Sequence, residues 1–469
     1  MTAAVIGLLL PVAATYVALR ALRLRTARDS PLVTLAVAIC GGLGLASVVT
    51  FWSAVFGLTI GSRFAMIDAG AWVAAGASAW WAGRRAGDDG GTGAAPVPPL
   101  AAADWVVRGV FCVVATIAVA TVVAHYVASP HGDWDAWAIW NLKARFIVRE
   151  PNPWEAMLAV PWSQPSHPFL VSLSVARLWA YAGGEPTVVP AMLGSVWGIG
   201  IVAAVMGALD TRRKRAWIAG AVLIAPGTFT RLVAAQTSDL AVGLFLVTSL
   251  VMLRSALTRD WGSERVNGSL LLAGALGSLA AWTKNEGFLF LGIATLLVVG
   301  LTPRRRWVRD LAVWTASAVP VGATVVWFKL FLAPVAPAYM SESEMSLVER
   351  LLDPVRRELV NTAIGWRWLE WGTGMATGVL PVVIAAAVWA VFTPGGRSAR
   401  PLLATVCAMF MAYYAVWILS PLDTAWLVST TFERLFIHLW PALVVTAFSA
   451  GAMSPAPRAP VAVAADPRG

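Results

Sequence analysis

Charge is what this chain has least of. Only 13% of its 469 residues are Asp, Glu, Lys or Arg, where soluble domains carry about 25%, so a soluble fold is excluded. Cysteine is equally scarce. Cys40, Cys112 and Cys407 all sit inside apolar runs, which suits small core residues and excludes a disulfide framework. No His, Cys, Asp or Glu spacing is diagnostic of a metal site, and no cofactor motif is present. Acids are outnumbered 25 to 35 by Lys and Arg, giving a net charge of +10. The bases fall in short clusters between apolar runs, which fits cytoplasmic loops of a membrane protein and argues against a nucleic-acid partner. A basic region is missing ahead of the first apolar stretch, so that stretch reads as a retained helix and not as a cleaved signal.

Apolar residues supply what charge does not. They make up 58% of the chain, the mean hydropathy is +0.71, and runs near 20 residues recur, the length of a membrane-spanning helix. The expected fold is an all-α polytopic transmembrane bundle of about thirteen helices. Residues 2–20, 32–58 and 64–82 form an N-terminal set (1–86), followed by a Gly/Pro-rich cytoplasmic linker over 87–103 and a helix at 105–128. Further helices are expected at 216–234, 239–255, 269–283, 287–301, 310–332, 373–392, 400–419 and 435–451. The main module then runs over 104–452, and 453–469 reads as a disordered cytoplasmic tail.

Basic clusters orient these helices. Placing Arg20–Arg28, Arg84–Arg85, Arg212–Arg215, Arg254–Arg265, Arg304–Arg309 and Arg397–Arg400 in the cytoplasm puts the N-terminus outside. Residues 131–186 then form a first extracytoplasmic loop and 333–372 a second. The turns at 234–239, 282–287 and 420–434 point the same way. Within the first loop, five prolines favour short juxtamembrane helices, and 167–184 reads as an amphipathic helix lying on the membrane surface.

The polar content of these outer segments is concentrated. HGDWDAWAIWNLKARFIVRE (131–150) holds Asp133, Asp135, Lys143, Arg145 and three tryptophans. The later turns bring Asp239, Lys284, Glu286 and Arg434. Ionisable groups at membrane depth are costly and mark functional candidates. Each has a plainer use: Asp239 suits a helix start, Lys284 and Glu286 a weak surface pair, and Arg434 with Glu433 an interfacial anchor. His167 beside Pro168 suits a loop-orienting role, and His125 and His438, inside helices, suit local hydrogen bonds. Trp134, Trp137 and Trp140 at i, i+3 and i+6 share a helix face only in part and also suit the bilayer interface.

Taken together, five segments resemble the GT-C superfamily of polytopic glycosyltransferases, which use polyprenyl-phosphate-linked sugars. WDAWAIWNLKAR (134–145) is similar to the acidic first-loop motif of that class, in the position seen in dolichyl-phosphate-mannose mannosyltransferases of the family 39/83 type. SHPFLVSLSVARL (166–178) resembles the His-Pro start of their juxtamembrane helix, and QTSDLAVGLFL (236–246) their Asp-bearing hairpin. AWTKNEGFLFL (281–291) and SPLDTAWLVSTTFERLFIHLWP (420–441) resemble the corresponding turns of a bacterial branch. The likeness covers about 105–445.

That resemblance implies an inverting sugar transfer at the outer face of a cell (plasma) membrane, with no cofactor or metal. Asp135 would serve as general base with Asp133 in support, Arg434, Lys284, Arg145 and Lys143 would hold the donor phosphate, and Asp239, Glu286, His167, Trp137 and Trp140 would contact sugar or acceptor. The implied partners are a polyprenyl-phosphate-linked sugar, a glycan, lipid or protein acceptor, and membrane lipids. The chemistry needs such groups: a carboxylate takes the acceptor proton, and cations stabilise the departing phosphate. A lipid or sugar transporter or flippase is the competing class, and would show repeats and broken helices with midplane charges.

Overall fold

The computed structural model describes residues 1–22, 30–85, 102–150, 152–257, 268–334, 345–371 and 378–450. Of the linker expected over 87–103, residues 87–101 lie outside them and 102–103 open a helix; the tail at 453–469 lies outside, as do parts of the basic clusters near 25 and 260 and of the 333–372 loop. Helices are the only regular elements among the described residues: α1 Thr2–Ala21, α2 Pro31–Val55, α3 Ser62–Arg85, α4 Ala102–Ala128, α5 Asn141–Arg149, α6 Pro153–Leu158, α7 Leu170–Ala182, α8 Val188–Ala208, α9 Lys214–Ile224 and α10 Gly227–Ala234. After them come α11 Asp239–Leu257, α12 Gly268–Thr283, α13 Asn285–Leu301, α14 Trp307–Phe331, α15 Leu347–Leu352, α16 Pro354–Glu370, α17 Val379–Phe392, α18 Arg400–Leu419 and α19 Thr424–Ala447.

Among the described residues, seven helices are long and apolar enough to cross a membrane, or eight if the bent pair α9–α10 counts as one span. This is a multi-pass arrangement, with fewer full-length spans than the thirteen expected. The shortfall has a physical source. The helices α7, α12, α13 and α17 are apolar but only 13, 16, 17 and 14 residues long, below the ~20 residues a bilayer core requires.

Three expected elements change form. The helix expected over 216–234 breaks at Pro226 into α9 and α10, bent by 67°. Pro226 lacks the N–H that would continue the ladder, and its own backbone is extended (φ −61°, ψ 128°) where it leads into α10. The turn expected over 420–434 is mostly helix: α19 starts at Thr424, capped by Asp423, whose carboxylate accepts from the Trp426 N–H at 2.7 Å. The Ser429, Thr430 and Thr431 hydroxyls donate back to carbonyls three or four residues earlier, so a hydroxyl-rich stretch that reads as a turn sits inside a helix. Glu433 and Arg434 are therefore in the third turn of α19. Finally, α7 does not lie on a surface. Residues 168–180 are buried on every side, packed against α1, α2, α3 and α5.

That packing shows what holds the N-terminal helices in place. Arg177 of α7 donates to Asp68 of α3 from Nε (2.9 Å) and Nη2 (2.5 Å), and to the Gly7 carbonyl of α1 from Nη1 (2.7 Å). Tyr181 donates a third hydrogen bond to the same carboxylate at 2.6 Å. Both members of the ion pair are enclosed, so α1 and α3 share one core with α7. Between helices, Trp282 donates to Ser47 and Trp52 to Thr324, bonds worth roughly 0.6 kcal/mol each in membrane bundles. The α12–α13 hairpin closes tightly because Gly287 has no Cβ, which would collide with the Ala280 carbonyl.

The two ends of the bundle differ. One end gathers Asp104, Lys214, Arg215 and Arg254, with Arg215 and Arg254 bonded to Ala450 and Ser449. At the other end lie the 129–188 segment, α10, the starts of α11, α13 and α19, and the ends of α14 and α18.

Candidate functional site

The segment leading to Asp135 is set by its backbone. Gly132 takes φ +74°, and a Cβ there would sit 2.6 Å from the Ala235 carbonyl, so only glycine fits without strain. The Asp133 N–H donates to that carbonyl at 3.2 Å. Gln236, itself at φ +60°, donates to the Pro130 carbonyl and accepts from Asn141. Immediately after Asp135 the chain makes a π-helical turn, Ala136–Trp140, before α5. Such turns are rare and concentrate at functional sites.

Five segments distant in sequence meet around Asp239. Its carboxylate is fully buried and accepts from Lys284 Nζ (2.9 Å), Arg434 Nε (3.0 Å) and, in the appropriate tautomer, His438 Nε2 (3.3 Å). Arg434 reaches on to Asp135 through Nη2 at 2.5 Å, and Lys284 to Glu286 at 3.0 Å. The Nδ1 of His438 meets the Tyr413 hydroxyl at 3.0 Å. The result is one continuous network, Asp135–Arg434–Asp239–Lys284–Glu286. Side-chain exposure along it is 17% for Asp135, 24% for Arg434, 0% for Asp239, 6% for Lys284 and 19% for Glu286, so the middle is enclosed and both ends are partly exposed. Asp135 and Arg434 form a partly exposed carboxylate–guanidinium pair at one end, and Glu286 lies at the other. Burial raises the Asp135 carboxyl above its ordinary value, against the pull of Arg434, so it is a stronger base than a solvated aspartate.

Asp133 belongs to a neighbouring cluster. It meets His125 at 3.3 Å and Arg231 at 3.3 Å, and Arg231 also holds Glu433 at 2.5 Å. Arg231 therefore bridges the residues next to Asp135 and Arg434 in sequence. Sequence reasoning missed it, because an unbroken helix over 216–234 gives no reason to single out one arginine. His125 and His438 were expected to bond locally, yet both reach the acids of the site.

The remaining expected residues fall in three places. Arg145 is not with Arg434. It pairs with Glu185 at 3.3 Å, alongside Arg149, which holds the same carboxylate at 2.6 Å from both Nε and Nη2. Lys143 also lies apart from Arg434, enclosed and donating to the Gln164 carbonyl at 2.8 Å. Burial pushes its ammonium down to about 7, with Lys329 adding to the effect. His167 stacks on buried Trp140, ring centroids 6.0 Å apart, and burial holds its imidazole neutral, down to about 3. Trp137 is half exposed and meets Trp134 edge-on.

Several enclosed polar atoms around this network have no partner: Glu286 Oε2, Thr237 Oγ1, Ser238 Oγ, Asn141 Oδ1, Trp140 Nε1 and His167 Nδ1. Buried polar groups ordinarily bond something, so these atoms are available to a ligand or to water. Among the described residues, no group of three or more His, Cys, Asp or Glu is placed to hold a metal ion.

Fold and site together define a multi-pass helical membrane protein with an ionised network at one end of its bundle. No family model matches the chain, and neither curated proteins nor solved structures give a match.

Proposed function

We propose that this chain is an integral membrane glycosyltransferase that moves a sugar from a polyprenyl phosphate to an extracytoplasmic acceptor with inversion. The observation that carries the reading is the Asp135–Arg434 pair at one partly exposed end of the network. Asp135 supplies a carboxylate base for the acceptor hydroxyl, and Arg434 supplies a cation beside it for the leaving phosphate. On this reading the buried Asp239 and Lys284 orient Arg434 and do not touch substrate. Arginine's fork can release one carboxylate to take a phosphate oxygen while Asp239 retains Nε. The unpartnered hydroxyl, amide and indole groups nearby match the many donors and acceptors of a sugar.

The test is incubation of the purified chain in lipid with a labelled polyprenyl-phosphate sugar and a panel of membrane-extract acceptors. The expected outcome is label transfer with inverted anomeric configuration by NMR. Retention of configuration refutes the single-displacement mechanism, and no release of label refutes the enzyme.

One observation favours the second reading, a lipid or sugar transporter. The bent pair α9–α10, a broken span or a re-entrant loop, ends beside the ionised network, as discontinuous helices do in transporters. Label crossing the bilayer with its glycosidic bond intact would establish that reading instead.

A further inference from the structure

The peptide Gln164–His167 is gripped from two elements by ammonium groups. Lys143 of α5 donates to the Gln164 carbonyl at 2.8 Å. Lys329 at the end of α14 donates to the Ser166 carbonyl at 2.5 Å and to Asn285 Oδ1 at 2.7 Å. Neither lysine has a carboxylate partner among the described residues. Glu286, whose charge reaches Lys329 and His167, bonds Lys284 instead, at 3.0 Å.

An ammonium has three N–H groups and no acceptor. Lys143, fully enclosed, uses one of them and Lys329 uses two. The enclosed Nδ1 of His167, next in sequence to Ser166, has no partner. Lys143 is an enclosed ammonium with no carboxylate bonded to it, an expensive arrangement, and Lys329, only partly enclosed, holds the same peptide beside it. A structural clamp for two carbonyls does not require it, since neutral amide side chains would serve. The wall is aromatic, with the rings of Trp140 and Phe169 centred 5.6 and 5.1 Å from Lys143 Nζ. Elsewhere in the site each cation already faces a carboxylate: Arg434 has Asp135 and Asp239, and Lys284 has Asp239 and Glu286.

We infer that Lys143, Lys329 and His167 form a second anion subsite, separate from the Asp135–Arg434 pair, that takes a phosphoryl group. Point-charge lysines on different elements suit a tetrahedral anion with several acceptor oxygens, whereas a planar carboxylate favours an arginine fork. The phosphoryl group comes either from a lipid phosphate or from free phosphate. The inference stands apart from the sugar-transfer reading, because it concerns only the anion.

The test is titration of the full chain in lipid nanodiscs with inorganic phosphate, farnesyl phosphate and acetate, followed by calorimetry. Wild type is expected to bind both phosphates and to bind acetate at least tenfold more weakly. Lys329→Gln and Lys143→Gln should each weaken phosphate about tenfold or more, the loss of one charge-assisted bond. Tighter binding of farnesyl phosphate assigns the source to lipid, and equal binding assigns it to free phosphate. Wild-type affinity in both variants, or acetate binding as well as phosphate, overturns the inference. Where a variant does not fold, wild-type protein carries the test through lysine-acylation footprinting. Phosphate should protect Lys329 at least threefold relative to the exposed Lys214, and equal labelling with and without phosphate overturns the inference. No turnover enters these readouts, so phosphate binding at Lys329 without sugar transfer would refute the enzyme reading and leave the subsite standing.

Discussion

Asp68→Asn removes one charge from the enclosed pair that ties α3 to α7. In the wild type, Arg177 and Asp68 share two hydrogen bonds, Tyr181 donates a third to the same carboxylate, and the two side chains are each 2% exposed. The amide keeps the shape and one acceptor but leaves the guanidinium with only the Gly7 carbonyl and weak neutral contacts. An uncompensated buried charge costs about 3–5 kcal/mol, and the retained amide contact places the expected loss near the lower end, about 3 kcal/mol. Unfolding in mixed micelles of rising SDS content, followed by tryptophan fluorescence, measures it. The double variant Asp68→Leu/Arg177→Met removes both charges and should recover at least half of the loss, since apolar replacement of a buried pair is often near neutral. A single variant within about 0.5 kcal/mol of wild type, or a double variant less stable than the single one, would refute the view that this pair locks α1 and α3 into one core with α7.

Two other perturbations probe the site's surroundings. His167 is held neutral in the fold, down to about 3, against an ordinary value of 6.5. The unfolded chain therefore binds a proton that the folded chain refuses between those values. Stability should fall as pH drops below 6.5, by about 1.4 kcal/mol per pH unit from this group, and the slope should flatten in His167→Gln; an unchanged slope contradicts the burial seen here. Arg231→Gln cuts the bridge between Asp133 and Glu433, both partly exposed. It should change stability by under about 1 kcal/mol while lowering the transfer rate roughly tenfold to a hundredfold by loosening the Asp135–Arg434 geometry, and equal loss of both would show a purely structural role.

Much of this was legible in the sequence, for identifiable reasons. Charge scarcity and 20-residue apolar runs impose helices, because lipid cannot satisfy exposed backbone groups. The polar residues at run ends gather at one end of the bundle, so Asp135, Asp239, Lys284 and Glu286 meet Arg434, although Arg434 lies in the third turn of α19. What hydropathy cannot distinguish is lipid from protein as the cover of an apolar face. The helix α7 was therefore read as interfacial, although α1, α2 and α3 enclose it. Nor does hydropathy register a proline break in the backbone ladder, and so α10 and Arg231 were missed. Lys143 and Arg145 were grouped with Arg434 because they are near Asp135 in sequence. The π turn and α5 instead carry them toward Gln164 and Glu185. Lys329 was hidden at the end of an ordinary apolar run.

The central claim is that Asp135, and not Asp133, takes the acceptor proton. The most direct measurement compares single-turnover sugar transfer from a labelled polyprenyl-phosphate donor in wild type, Asp135→Asn and Asp133→Asn, each first shown to fold by its unfolding curve. Loss of a general base costs roughly 10²–10⁴-fold in rate. The expected result is a fall of that size for Asp135→Asn with donor binding retained, and a fall of about tenfold or less for Asp133→Asn. Transfer by Asp135→Asn at a rate near wild type would contradict the account.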